Sequence, residues 1–404
     1  MPNDMRVLVR ARGSARQIAA LADNKLLEYL EDKPDDDSIA GTVLLGRVER
    51  VLPAVGAAFI QIGQPLNGFL PLKEMSSFTR HGDAKPLVTG KDVIVQVKKS
   101  AREDKGAYLS QDIALPGLYT IWMPLNRHVG VSARITDDKQ REELTFLGRD
   151  LTGGESGVIM RYAAQGVRRA DIESEIAAHK AIWQGIVARA EFTRSPVTLY
   201  EQSSELTVLL RDNISRFSLS VYTAKEVCRD GEIPREGIPI TLLPEEDMET
   251  MWNRSRVNEQ LAAALRRKVS LPEGGTLVFD EREALQTIDV NTASFTGTGK
   301  GNDAALEQNL MACDEIARQI QLRNLSGVII IDFIDMRSDG DRAQVLSRFE
   351  RCVAKDRSRL IIHGFTTLGL LETTRKRTRE SLAGLLTDPC GACRGAGRKP
   401  RPEP

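Results

Sequence analysis

The chain has 404 residues, with 56 Lys+Arg balanced by 56 Asp+Glu and 41% hydrophobic residues. This mixed composition, with 28% charged residues and 32 glycines, excludes a disordered chain, a collagen and a coiled-coil rod, and the length suits about two to four domains. No apolar run reaches the ~18 residues of a membrane span, the MPNDMRVLVR start has no apolar leader core, and five cysteines are too few for a disulfide scaffold, so a cytoplasmic multidomain protein without a membrane partner is expected.

In chain order, residues 5–9 and 25–29 read as strands, and the acidic EDKPDDD stretch (31–37) reads as a solvated linker. From Gly41 the texture changes to short β-branched runs (GTVLLGRVERV, GAAFIQIG, NGFLPL, DVIVQVKK) punctuated by Gly, Pro and Asn, the pattern of a small OB-type barrel. Phe59 and Phe69 on neighbouring strands offer stacking faces, and Lys98, Lys99, Arg102 and Lys105 offer charge, as single-stranded nucleic acid requires. Burial of both rings in the barrel core is the alternative. Residues 117–200 mix strands (119–123 and 158–161) with a helix whose Ile172, Ile176, Trp183 and Ile186 share one face. LTVLL (206–210) and FSLSVY (217–222) read as strands of an α+β block.

The block from about 265 to 385 carries the chemistry. LQTIDVNT (285–292) reads as a strand, TGTGKGND (296–303) as a Gly-rich turn, and the following segment as a helix with Leu306, Leu310, Cys313, Ile316 and Ile320 on one stripe. The four β-branched residues of GVIIIDFIDM (327–336) predict a strand buried on both faces, and a crossover helix would lay it beside the first strand. Asp289 and Asn291, two apart, point to one face, and Asp332 follows the apolar run of the second strand. Two carboxylates and an amide oxygen at adjacent strand ends form a hard oxygen site suited to Mg²⁺, which would polarise a phosphoryl oxygen and activate water. Capping of strand ends is the alternative. Strand parity puts Asp335 on the opposite face and gives it a structural role. RKRTR (375–379) after GLLE reads as a basic helix, either contacting phosphate or solvated, and His363 after RLII as a turn residue.

Near the C-terminus, Cys390-Gly-Ala-Cys393 backed by Arg-Gly-Ala-Gly is zinc-knuckle chemistry, but it supplies two of the four ligands a structural zinc needs. Cys228, Cys313 and Cys352 are single, lie in strand or helix patterns and read as core, and none of His81, His128, His179 and His363 has ligand spacing. The missing half is expected from a second chain, one Zn²⁺ clasping a homodimer. A redox dithiol and a fragment of a chaperone-type C-x-x-C-x-G-x-G repeat are the alternatives.

Taken together, GRVERVLPAVGAAFIQIG with NGFLPLKEM, TIDVNTASFTG, EIARQIQLRNLSGVIIIDFIDM, GLLETTRKRTRES and C-x-x-C-x-G-x-G, in that order from about residue 41 to 397, resemble the ribonuclease E / ribonuclease G family. The resemblance implies a multidomain α+β fold: an RNase-H-like domain split between 1–39 and 200–264, an S1-type OB-fold barrel at 40–112, a 5′-sensor domain at 113–199, a DNase-I-like α/β catalytic domain at 265–385, and a zinc-link and tail at 386–404. It implies an endoribonuclease of RNA processing and decay (rRNA maturation, mRNA turnover) that hydrolyses single-stranded AU-rich RNA with one Mg²⁺ per site and leaves 5′-monophosphate products, with no DNA partner. By the same resemblance Asp289, Asn291 and Asp332 are catalytic, Asp289 and Asp332 hold Mg²⁺, and Cys390 and Cys393 share one Zn²⁺ per dimer with a second chain. Phe59, Phe69, Lys99 and Lys105 would bind RNA, and Gly117, Ile121, Arg161 and Tyr162 would sense a 5′-phosphate. Tyr162 departs from the family, which has Thr there, so the strength of 5′-end sensing is expected to differ. The small C-terminal domain of longer members is not in this sequence, so a dimer is expected rather than a tetramer. A non-catalytic S1-domain regulator that binds RNA without turnover is the competing function.

Overall fold

The β-branched runs between residues 43 and 110 close on themselves. In the computed structural model, which describes all residues except 1–2, 33–38, 76–86, 102–104, 202, 226, 229–237, 273, 283, 293–301, 337, 355, 389 and 394–404, the strands Val43–Leu52, Ala57–Gln61, Gly68–Pro71, Tyr108–Ser110 and Asp92–Lys99 form a five-stranded, OB-like barrel, sealed where Asp92–Lys99 pairs back with Val43–Leu52. Alternation does the sorting: Val48, Ile60, Leu70, Val95, Val97 and Leu109 fill the interior while their neighbours face out.

The chain divides into two compact units, one of Met1–Asp32, Arg216–Gly231 and Arg235–Pro404, the other of Lys33–Ser215 and Glu232–Pro234. In the second, beside the barrel, a four-stranded sheet (Leu115–Pro116, Thr120–Met123, Gly157–Met160, Val129–Val131) packs on the helices Asp138–Thr152 and Arg169–Phe192. Ile172, Ile176 and Ile186 are buried there with Trp183 packed against them, as their spacing predicts. LTVLL is not a strand. It lies in the helix Glu205–Asn213, whose Ser204 hydroxyl accepts from the Thr207 amide at 3.2 Å and whose Leu206, Leu209 and Leu210 are buried. A short apolar run fits either structure, and the capping serine decides.

The first unit holds two sheets. Asn3–Arg12, Ala15–Ala22 and Lys25–Asp32 form antiparallel neighbours, and Phe217–Thr223 joins Asn3–Arg12 in parallel. Ala15–Ala22 has no strand signal of its own, since alanine is depleted in strands; it is small because it is buried between two neighbours. Glu31 and Asp32 belong to the strand rather than to a linker; the rest of EDKPDDD lies outside the described residues.

The other sheet runs Lys268–Ser270, Thr276–Glu281, Gln286–Asn291, Gly327–Asp332, Leu371–Arg375, Leu360–Phe365. The helix Asn302–Leu322 connects Gln286–Asn291 to Gly327–Asp332, which are parallel neighbours, and with Asp339–Val353 it covers one face through Cys313, Ile316, Ile320, Val345 and Phe349. The opposite face carries no helix among the described residues: Ile329 and Ile331 are buried, but Val328 is 42% exposed and Ile330 partly so. The strand is therefore buried on one face, not on both. The Gly-rich turn expected before the Asn302–Leu322 helix falls largely outside the described residues.

RKRTR is not a helix. Arg375 ends a strand and is 3% exposed; it binds Asp356 at 2.6 Å, Asn324 Oδ1 at 2.8 Å and the Leu325 carbonyl at 2.9 Å. Arg377 donates to Ser326 Oγ and Arg379 to Glu28. Three of its four cations brace the fold, which leaves Lys376 as the exposed cation outside these contacts.

Candidate active site

The uncovered sheet face takes its polar groups from strict alternation. In Gln286–Asn291, Gln286, Ile288 and Val290 face the helices, while Thr287, Asp289 and Asn291 face out. The parallel register sets Asp289 opposite Asp332, so two carboxylates stand side by side on adjacent strands. The Asn291 amide nitrogen donates to Asp289 Oδ2 at 2.5 Å, and Gln308 holds the Asn291 carbonyl at 3.2 Å. Partial burial raises the pKa of Asp332, and the charges of Asp289 and Asp335 raise it further. The strand ends at Asp332, so strand parity does not carry on to Asp335, and the Asp335 charge is felt at Asp332.

Carboxylates that disfavour each other's charge are relieved by a cation. Among the described residues no group of three or more His, Cys, Asp or Glu side chains is arranged for a metal ion. Two carboxylates with an amide are therefore the donor set present, which fits Mg²⁺, an ion that keeps several waters and takes one or two carboxylates. His363 lies in the strand Leu360–Phe365, not after it, and pairs with Thr374 Oγ1 at 2.9 Å.

On the barrel, Phe59 and Phe69 are half-exposed rather than core. They are register partners with ring centroids 5.9 Å apart, and Tyr108 continues the row at 6.2 Å from Phe69. Lys99 lies opposite Tyr108, its ammonium 5.9 Å from the ring, and Lys105 is exposed nearby in sequence. Tyr108 is the member that the sequence reading missed; its signal was the alternation of AYLS, with Ala107 and Leu109 inside. Lys98 stands apart, its ammonium donating to Gln96 Oε1 at 2.8 Å and the Asp112 carbonyl at 2.7 Å. Arg102 lies outside the described residues. Three rings in register with a cation at one end offer the apolar faces and the charge that stacking of unpaired bases requires. Phe69→Ala is expected to weaken binding of a single-stranded oligonucleotide by about 1–3 kcal/mol, the value of one stacked base, with little change in melting temperature; fluorescence anisotropy and a thermal melt check both.

Gly117 and Ile121 lie at the turn and start of the Leu115–Pro116 and Thr120–Met123 pair, with Gly117 N bonded to the Thr120 carbonyl at 2.8 Å. Arg161, just beyond Gly157–Met160, donates to the Gly117 carbonyl and pairs with Asp212 at 2.5 Å. The structure thus brings Arg161 and Gly117 together. Tyr162, 38% exposed, lines a cavity of about 350 Å³ with Leu118, Tyr119, Gln165 and Ile214. Asp212 and Glu175, both close to this turn, carry no motif of their own and were not anticipated.

Cys390 is exposed and Cys393 partly so, joined in a turn by a Cys393 N to Cys390 O bond of 3.3 Å. The N–H groups of Cys393 and Ala392 lower the Cys390 pKa, which favours the thiolate that a metal needs. Cys313 is buried in a helix; Cys352, half-buried in another, donates to Asp314 at 3.0 Å. Cys228 lies in a turn, not in a strand or helix, and donates to Thr223 Oγ1 at 3.3 Å. No helix among the described residues is long and apolar enough to cross a membrane.

Comparison with known proteins gives these sites a context. A model of the ribonuclease E/G family matches residues 114–378. The chain is 35% identical to ribonuclease G of Escherichia coli K12, over 97% of this chain and 83% of that protein, and 36% identical to ribonuclease G of Salmonella typhimurium over the same shares. It is 34% identical to ribonuclease E of Nostoc sp. PCC 7120, over 95% of this chain and 58% of that protein.

Proposed function

The chain belongs to the ribonuclease E/G family, which makes it an endoribonuclease acting on RNA phosphodiester bonds in RNA processing, and from that premise we propose that it hydrolyses single-stranded, AU-rich RNA with Mg²⁺ at Asp289, Asn291 and Asp332, leaving 5′-monophosphate products. The observation that carries this reading is the side-by-side register of Asp289 and Asp332 on an uncovered sheet face. Asp289 and Asp332 would hold the cation. Asn291, by donating to Asp289 Oδ2, would fix the orientation of that carboxylate and leave its other oxygen for the cation. Bound there, Mg²⁺ supplies polarisation of a phosphoryl oxygen and a water of lowered pKa. The open face admits an extended strand without a wall, and the barrel's aromatic row accepts only bases that are free to unstack, which favours single strands over duplex. In this reading residues 40–112 are the S1-type barrel, 113–199 the 5′-sensor, 265–385 the DNase-I-like catalytic domain, and 1–39 with 200–264 the RNase-H-like domain. Arg161 with the Gly117 turn, Ile121 and Tyr162 would meet the 5′-terminal phosphate, with tyrosine in place of threonine weakening the grip. The setting is the cytoplasm.

An AU-rich single-stranded oligonucleotide should be cut internally in Mg²⁺, and faster with a 5′-monophosphate than with a 5′-hydroxyl. Tight binding without cutting would instead mark a regulator. The Cys390 and Cys393 thiolates would share one Zn²⁺ with the same pair of a second chain, closing a homodimer. Cys390→Ser is expected to lose bound zinc and sediment as a monomer; a zinc-loaded dimer of that variant would overturn the clasp.

A further inference from the structure

The amides that follow Gly117 in its turn converge on a single side chain. Glu175, on the helix Arg169–Phe192, points its carboxylate at three consecutive amides, accepting from Leu118 N at 2.6 Å, Tyr119 N at 3.1 Å and Thr120 N at 2.8 Å. The Thr120 hydroxyl adds a fourth donor at 2.7 Å. Consecutive N–H groups converging on one point form an anion cradle, and here the chain fills its own cradle.

The neighbouring residue explains why that matters. A Cβ on Gly117 would stand 2.4 Å from the Glu175 carboxyl carbon, closer than real Cβ contacts come, so only glycine lets the carboxylate approach. The Gly117 carbonyl, at the same turn, accepts from Arg161, whose guanidinium is also paired with Asp212. The turn therefore lies between a carboxylate that fixes its amides and a guanidinium that its carbonyl orients. The donors of 118–120 are taken, so an incoming phosphate must be met by Arg161 and the groups around it, and the aim of Arg161 depends on where the carboxylate holds the turn.

We propose that Glu175 is a positioning residue for recognition of the 5′-terminal phosphate: by holding the amides of 118–120 it sets the Gly117 carbonyl, and through it Arg161, in the geometry that distinguishes a 5′-monophosphate from a 5′-hydroxyl. This rests on the assignment of that turn to 5′-end sensing. Glu175→Gln keeps size and removes the charge, and its single carbonyl oxygen cannot serve all four donors.

The experiment measures kcat/KM for one oligonucleotide with either 5′ end, in the unaltered protein and in Glu175→Gln. The monophosphate-to-hydroxyl ratio is independent of the active fraction. It is expected to fall about tenfold, the effect of losing charge-assisted hydrogen bonds, with the change in the KM of the monophosphate substrate. Glu175→Asp, which keeps the charge on a shorter arm, should recover part of the ratio. A ratio unchanged in Glu175→Gln overturns the role of Glu175 and leaves the sensor reading standing, whereas a ratio of one in the unaltered protein overturns the sensor reading and this inference with it. If Glu175→Gln gives no folded protein, Thr120→Val decides: it removes one donor and keeps the carboxylate, and the ratio should fall by about twofold to threefold, while an unchanged ratio overturns the proposal.

Discussion

Asp332→Asn is expected to slow RNA cleavage by about two to three orders of magnitude without loss of fold. The substitution is isosteric and removes one of two charges that face each other across the ladder. A cation held by Asp289 alone would be bound and oriented more weakly, and metal polarisation of a phosphoryl group is worth several kcal/mol, each ~1.4 kcal/mol being tenfold in rate. The same substitution should hold or raise the melting temperature in metal-free buffer. Partial burial and the charges of Asp289 and Asp335 raise the Asp332 pKa; a carboxyl whose folded-state pKa is raised contributes stability below its unfolded pKa and loses it as pH rises through the folded one. At neutral pH the unaltered protein therefore carries the repulsion, and Asn removes it, a gain of roughly 0.2–1 kcal/mol for so exposed a pair. Single-turnover cleavage and a thermal melt of one preparation test both parts. A residue that merely capped a strand would lose stability and keep activity, the reverse pattern.

Glu28→Gln should have the largest effect on stability. Glu28 is fully buried on Lys25–Asp32, where its carboxylate accepts from Arg357 at 2.8 Å, Arg379 at 2.9 Å and Gln321 at 3.2 Å. It ties the N-terminal sheet to the end of the Asn302–Leu322 helix and to the segments after Asp339–Val353 and Leu371–Arg375. Burial alone would raise its pKa; the two guanidiniums and these hydrogen bonds outweigh that and bring it from 4.5 down to about 2. Removing the charge leaves two cations uncompensated, a loss of about 3–5 kcal/mol for a broken buried pair and a fall in Tm on the order of 10 °C at neutral pH. Because the folded-state value is depressed, this stabilisation is present above pH 4.5 and fades as pH falls towards 2. The gap in Tm between the two proteins should therefore narrow on acidification, and calorimetry at pH 7 and pH 3 reads it directly.

The sheet that carries Asp289 and Asp332 was legible because its signals are local. IDVN and IIID alternate or run apolar over one strand, and the crossover rule joins them, so the pairing of Asp289 with Asp332 needs no information beyond the two strands and the helix between. What the sequence hides is what covers a strand. Four β-branched residues read the same with one helix layer as with two, and here the face with Val328 is open. Buried ionic contacts were hidden for a different reason. Arg375 reads as one of a run of surface cations until the fold brings Asp356 and Asn324 to it, and Glu28 reads as an ordinary strand carboxylate until Arg357 and Arg379 arrive from more than 300 positions away. The Glu175 contact is of the same kind: three of its four donors are backbone amides, which leave no mark on the side chains of the residues that carry them. LTVLL carries its helix signal outside itself, in Ser204 at the capping position.

The chemistry of the cut ends decides whether Asp289, Asn291 and Asp332 form a Mg²⁺-dependent hydrolytic centre. A single-stranded oligonucleotide labelled at either end should be cut in Mg²⁺ to give a 5′-phosphate and a 3′-hydroxyl, with cleavage abolished by chelation and restored by added Mg²⁺. Products ending in a 5′-hydroxyl and a 2′,3′-cyclic phosphate, formed equally well in chelator, would mean that the RNA's own 2′-hydroxyl attacks without metal, and would contradict the account.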